Sequence, residues 1–468
     1  MADMLARRII VGSNNIAYFL DSGKLDGRNI VLYNSLKPEL KLTITLPVES
    51  NGDQVTVREP VIGMLNINKN ITDDEKAKDC TSIIQEAIDN LSENGGGIVH
   101  FGSGVYYITS LTMKPKVSLI GNGEGITILK RVIDGHVDSS TDGYNNGKGF
   151  ITLPNNVTGC SIQDMTLYGG ATFSESVESP LQYAGVVSYS DSEVVNGIYI
   201  ESTPSTSYDS STGSADIYKI HQDSSLDGVS SINNNAKFSH LQNLTIIGFS
   251  GSGIIVDVNN RYINIDHVSC IANRYSGLIL TSPIKASNLH IIGNGTSGLI
   301  CDGELGIIEN AHIEYNGKYN HSLSCGVLIN GSKCILKNMI IRYNYCTGLR
   351  NNGNNNMMSD IIFDANGGRS SYDVNGGHAS PEDVAQVIYN GIGNSLKCNI
   401  SNSRSTETLR VALSGLISET LSKSILECQI SKVAGRNLPS INGSVYVTDT
   451  FNEFTSDSNL ITVLYTND

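Results

Sequence analysis

One apolar pattern returns about every twenty-two residues along the middle of this chain, an interval too short for a unit to bury its own apolar face. Leu244, Val268, Leu289, Ala311, Met339 and Ile361 stand 24, 21, 22, 28 and 22 residues apart, and two positions after each come Ile246, Cys270, Ile291, Ile313, Ile341 and Phe363. Apolar residues two apart share one face of a strand, because successive side chains point to opposite sides. A second column consists of Gly253, Gly277, Gly298, Gly326 and Gly348, followed by Ile254, Leu278, Leu299, Val327 and Leu349. A third holds Asn273, Asn294, Asn316, Asn344 and Asn366. Coincident columns predict a solenoid in which neighbouring coils bury one another. At a coil spacing of about 4.8 Å the asparagine amides can hydrogen-bond along the stack. The fold class predicted is all-β, a parallel β-helix.

The flanks differ in character. Residues 1–62 hold two alternating runs, Asn29 to Tyr33 and Leu40 to Pro47, between turn signals, and predict a small β module. Thr72-Asp73-Asp74-Glu75 has capping-box spacing, and Ile83, Ile84, Ala87, Ile88 and Leu91 then share one helical face until Gly95-Gly96-Gly97. The solenoid is assigned to residues 63–435. Within it Leu244 lies 79 residues beyond Met165, so an insertion is expected, placed at 171–236 as a protruding hairpin lobe. A second excursion is expected over 367–394, and loss of the period after Arg436 predicts a separate β tail over 436–468.

Asp79-Cys80-Thr81, the amphipathic helix, Ile98-Val99-His100-Phe101, Gly104 to Ile108 and Val117 to Leu129 together resemble the opening of the pectate-lyase superfamily, over roughly residues 70 to 130. The resemblance implies a right-handed parallel β-helix whose helix caps the open end. It leaves the reaction open, because lyases, hydrolases, epimerases and phage tailspikes share this frame. Tailspikes of this kind are typically parallel homotrimers, and the resemblance implies the same here.

A net charge of −14 argues against a nucleic-acid partner, which would need lysine and arginine gathered on one face. No stretch has the apolar length to span a bilayer, and Met1 to Ile10 lacks the apolar core of a signal peptide, so neither membrane insertion nor a leader is expected. The nine cysteines show no CxxC spacing and replace aliphatic residues in apolar patterns, which predicts reduced, structural thiols. With no HxH or HExxH spacing, no transition-metal site and no cofactor are expected; calcium among surface carboxylates stays open. Gly121-Asn122-Gly123-Glu124-Gly125 follows a strand but opens no helix, so it reads as a turn and not as a phosphate cradle.

Alternation turns the residues between the apolar columns outward. One outward column runs Thr245, Ser269, His290, His312, Ile340, its neighbour Ile247, Ile271, Ile292, Glu314, Arg342, Asp364, and one on a second sheet Asp257, Thr281, Asp302, Asn330, Asn352. Glycosidic hydrolysis needs one protonated and one ionised carboxyl, about 6.5 to 9.5 Å apart when the product inverts. Asp257 and Asp302, or Glu314 and Asp364, two coils apart, meet that spacing and are the catalytic candidates. The plainer readings are a solvated surface for the first pair and a salt-bridge ladder through Arg342 for the second. Glu309 beside Lys337 reads as an ion pair or a substrate contact. His290 and His312, with Arg342, would suit a β-elimination or a ladder. Without tryptophan, sugar stacking falls to tyrosines, Tyr315 and Tyr343 among them.

Three functions are consistent with these features. The first is a phage tailspike-like protein that binds and depolymerises a bacterial surface polysaccharide (capsule, O-antigen or teichoic acid), located on the virion tail and attached to tail or baseplate proteins. The second is a bacterial polysaccharide lyase or inulin-fructotransferase-like enzyme. The third is a non-catalytic adhesin or structural spike.

Overall fold

The computed structural model describes residues 22–26, 29–33, 41–45, 79–132, 149–155, 157–173, 186–189, 194–201, 236–258, 260–317, 324–366, 386–389, 391–401, 411–415, 425–432, 440–443 and 460–467. Thr72 to Glu75 and the greater part of the expected lobe and second excursion lie outside these. The described residues form one helix and two long parallel sheets. In the larger sheet, strands such as Lys285–Ile292, Ile307–Glu314, Ile335–Arg342 and Met357–Asp364 pair coil upon coil. In the second, short strands such as Leu278–Leu280, Leu299–Cys301 and Cys325–Ile329 do the same. The chain visits each sheet once per coil, and the result is a right-handed parallel β-helix.

The predicted inward file exists. Strand register sets Met165, Leu244, Val268, Leu289, Ala311, Met339 and Ile361 side by side in successive coils. All are buried, in one continuous core with Ile198, Ile254, Leu278, Leu299, Val327 and Leu349 from the opposite sheet. Burying each of these side chains other than Ala311 contributes about 1.5–3 kcal/mol. Glycine is required where the coil turns tightly into the second sheet: a Cβ on Gly298 would lie 2.7 Å from the Gly326 carbonyl oxygen and 2.8 Å from Asn316 Nδ2.

That amide belongs to the asparagine column, which forms a continuous buried ladder. The backbone N–H and Nδ2 of Asn294 both donate to Asn316 Oδ1, at 3.0 and 2.9 Å. The same pattern joins Asn273 to Asn294, Asn316 to Asn344, Asn344 to Asn366, and Asn366 to Gln386. Asn316 Nδ2 also donates to Ile291 O at 3.0 Å, so one side chain bonds to the coil on either side of its own.

Within each long strand a residue in the left-handed region makes a bend: Asn243, His267, Asn288, Asn310, Asn338 and Asp360 have φ between 51° and 58°. Each bend puts two residues, not one, between inward positions, as from Ala286 to Leu289 and from Leu336 to Met339, all buried. Asparagine suits the bend because it tolerates this region better than most residues.

The cap is a helix, Thr81–Glu93, burying Ile84, Ala87, Ile88 and Leu91. Its start is held by Asp79, whose Oδ1 accepts from Thr81 N at 2.9 Å. The helix thus begins at the Asp79-Cys80-Thr81 signal, nine residues after Thr72. Ser22–Asp26, Asn29–Tyr33 and Lys41–Thr45 pair as a three-stranded antiparallel sheet.

Three stretches expected outside the coils extend the sheets instead. Asn196–Ile200 pairs parallel with Gly149–Leu153 and Ile254–Val256, with Gly197 just before the Ile198–Ile254 pair. Val387–Tyr389 pairs with Leu349 to Asn351. Ser440–Gly443 and Leu460–Asn467 continue the second and larger sheets. Each is a strand of eight residues or fewer, isolated by long polar sequence, so it carries little periodicity while still completing a coil. Ala171–Phe173 pairs antiparallel with Val186–Tyr189, and this pair joins neither long sheet. The eight cysteines whose side chains are described are thiols, not disulfides; seven are buried, and at Cys80 burial and the neighbouring Asp79 push the thiol up to about 11.

Removing one rung tests the ladder. Asn316→Ala should lower unfolding free energy by about 1–3 kcal/mol, since it strands buried amides of Asn294 and Asn344, whereas exposed Lys337→Ala should change it by under about 0.5 kcal/mol. Denaturant titration of both variants decides the matter.

Candidate active-site cleft

The bend has a consequence on the outside: two outward strand faces meet at an angle and leave a trough. A cleft of about 480 Å³ occupies it, lined by Glu124, His267, Ser269, Asn288, His290, Asn310, His312, Asn338 and Ile340. Apart from Glu124, the lining comes from four successive coils, two residues from each.

Glu124 stands at one end. Its turn links Val117–Ile120 to Thr127–Arg131, with Gly123 and Gly125 at φ 135° and 72°, where a side chain would be strained. The turn is tied to the coils beyond it: Gly123 N donates to Asp164 O at 2.8 Å, Gly125 N to Thr166 Oγ1 at 2.9 Å, and Thr245 Oγ1 to Glu124 Oε2 at 2.8 Å. The glycine-rich segment is a turn as expected, but its carboxylate reaches the cleft.

His267 follows. Its Nδ1 is 2.8 Å from Asp266 Oδ2, and Asp266 Oδ1 accepts from Ser287 Oγ at 2.7 Å and from Asn288 Nδ2 at 2.8 Å. Burial acts to raise the Asp266 pKa, but the hydrogen bonds from Ser287, His267 and Asn288 outweigh it and hold the carboxyl below its ordinary value. Deeper in the stack, His290 and His312 occupy equivalent positions, ring centroids 5.2 Å apart at 38°. The His312 pKa is lowered, first by burial and then by His290, with Glu314 opposing and Arg342 adding to the shift.

Beside this wall lies the Glu314 column. Glu314 is buried and accepts from Arg342 Nε at 2.8 Å, and His312 Nδ1 is 3.8 Å from the same carboxylate oxygen. The guanidinium sits 5.5 Å over the Tyr343 ring, which stacks on Tyr315 at 5.3 Å and 20°. Asp364 pairs in register with Arg342, and Glu309 with Lys337. Asp257 and Asp302 are elsewhere, at the ends of second-sheet strands. Asp257 Oδ2 accepts from the Tyr199 hydroxyl at 3.0 Å, and Asp302, 8% exposed, accepts from Asn330 Nδ2 at 2.8 Å.

Of the residues nominated from sequence, the structure therefore brings His290 and His312 into the cleft, with Glu314, Arg342, Tyr315 and Tyr343 behind one edge. None of Asp257, Asp302, Glu314 and Asp364 lines it. Glu124, Asp266 and His267 were missed. A signal for the last two existed: apolar pairs three apart (Ile265 and Val268, Ala286 and Leu289, Ile308 and Ala311) mark the bend that points its residue outward.

Titration tests the electrostatics. By NMR, the His312 imidazole should titrate below pH 6.5, and His290→Ala should move its midpoint upward by removing a like charge. A midpoint that is above 6.5, or that does not respond to His290, contradicts this environment.

No family model matches the sequence, and no curated protein matches it. Among solved structures, full-length tailspike protein 2 from an Escherichia coli O157:H7 bacteriophage is similar at 12% identity and a TM-score of 0.53, over 99% of this chain and 53% of that one. The enzymatically active domain of bacteriophage CBA120 tailspike protein 2 is similar at 13% identity and a TM-score of 0.53, over 99% and 60%. The A-module of a mannuronan C-5 epimerase from Azotobacter vinelandii aligns at 16% identity and a TM-score of 0.48, over 84% and 97%. This chain thus spans about half the length of the full-length tailspike. Register, sheets and the two tailspike likenesses agree on the architecture: the chain has a right-handed parallel β-helix fold, as tailspike protein 2 does.

Proposed function

We propose that the chain binds a bacterial surface polysaccharide along the cleft and depolymerises it by glycosidic hydrolysis, as part of a homotrimeric phage tailspike. The observation that carries this reading is the direction of the cleft. It crosses consecutive coils, so amide, hydroxyl and imidazole groups recur at about 4.8 Å, which suits a repeating polymer better than a compact small molecule. Likeness in fold to the enzymatically active domain of a tailspike supports it.

Hydrolysis is favoured over elimination by what the lining contains. Elimination next to a uronate carboxylate needs a cation to stabilise the charge that develops on the carboxylate, and the cleft lining includes neither lysine nor arginine. It does include a carboxylate, Glu124, able to protonate a leaving oxygen when it holds its proton, and imidazoles able to accept a proton from water. Glu314 and Arg342, paired behind His312, would fix that ring. The stacked Tyr315 and Tyr343 would offer a sugar platform at the cleft's edge. The reaction as proposed needs no cofactor. Residues 1–62 would supply attachment to the tail.

Incubation with a panel of purified bacterial surface glycans tests the reading. Shortened polymer with new reducing ends is expected, and Glu124→Gln should reduce the rate about 100-fold or more. Products absorbing in the ultraviolet would mark elimination instead, and no shortening of any glycan would remove the enzymatic reading.

A further inference from the structure

The repeat is interrupted at one place on the cleft wall. The bend position holds asparagine at 243, 288, 310 and 338, and consecutive amides bond along it: Asn338 Nδ2 donates to Asn310 Oδ1 at 2.8 Å, and Asn310 Nδ2 to Asn288 Oδ1 at 3.2 Å. At the coil between Asn243 and Asn288 the residue is His267, in the same left-handed conformation at φ 51°. No amide awaits Asn288 there, and its Nδ2 turns to Asp266 Oδ1 instead. Ser287, which shares Asp266's register position, donates to the same oxygen. Asp266 is thereby left with Oδ2 facing His267 Nδ1 at 2.8 Å, while the ring is largely exposed and lines the cleft. A ladder residue has been exchanged for an imidazole held at one nitrogen by an anchored carboxylate.

Resting on the hydrolytic reading above, we infer that His267 is the general base that activates the attacking water, and that Asp266 is its positioning residue. With the Nδ1 proton hydrogen-bonded to Asp266, the His267 Nε2 lone pair is free to take a proton. Water approaching the anomeric carbon transfers one proton to Nε2 as its oxygen forms the new bond. The glycosidic carbon–oxygen bond breaks, and the leaving oxygen takes a proton from the Glu124 carboxyl. His267 then returns its proton to solvent and Glu124 regains one, so atoms and charge balance over the cycle. The anchoring bonds from Ser287 and Asn288 keep Asp266 ionised and immobile, which fixes the tautomer and direction of the ring.

The decisive variant is His267→Asn. Asparagine is the residue the repeat itself uses at this bend, so the variant should fold with an unfolding midpoint at or above that of the native chain. Its kcat on the polymer that the native protein cleaves should fall about 100-fold or more, with KM little changed. Asp266→Asn should lower kcat in the same direction and by less, again with KM held, because the ring persists but loses its fixed tautomer. A native protein that cleaves polymer while His267→Asn matches its kcat overturns this assignment and leaves the hydrolytic reading standing. A native protein that cleaves no glycan overturns both. Loss of kcat together with collapse of the unfolding midpoint would also count against the assignment, since it would make His267 structural.

Discussion

Everything in this molecule depends on parallel register repeated without slippage from coil to coil. A shift of one residue would turn Leu289 outward and His290 into the core, because side chains alternate along a strand. Two devices hold the register besides the apolar file. The glycine column lets the tight turns touch, with Gly298 and Gly326 too close for a methyl between them. The asparagine ladder then gives each buried turn amide a partner one coil away, so a coil in any other register would leave polar groups stranded in the interior.

The same geometry governs the chemistry outside. Equivalent residues lie at a strand's separation whether or not their charges agree, so an outward column works as a set of forced neighbours. Where opposite charges meet, as at Glu314 and Arg342, the result is an ion pair. Where like groups meet, as at His290 and His312, the neighbour adds to burial in lowering the His312 pKa. The bend adds concavity, since a single left-handed residue per strand folds the flat outer face into a trough along which a polymer can lie.

Much of this was legible in the residues themselves. The spacing from Leu244 to Ile361, the glycines and the asparagines gave the fold and the facing of His290, His312, Glu314 and Arg342. The cleft was less legible. Reading strict alternation through each strand hides the extra residue at Asn288 or Asn310, and with it the trough. Glu124 was hidden for another reason: it belongs to a turn more than a hundred residues before Thr245, to which it hydrogen-bonds. The carboxylate pairs chosen by spacing along a column were chosen without knowing which outward faces meet.

By itself the sequence determined that coils stack, which side chains fill the interior and which stand one above another, because those properties follow from periodicity alone. Only the tertiary structure decided that Glu124, His267, His290 and His312 share one cleft and that neither Asp257 nor Asp302 lines it. Proximity between a turn in an early coil and the bends of later ones depends on how strand faces are angled in space. A one-dimensional period carries no such angle.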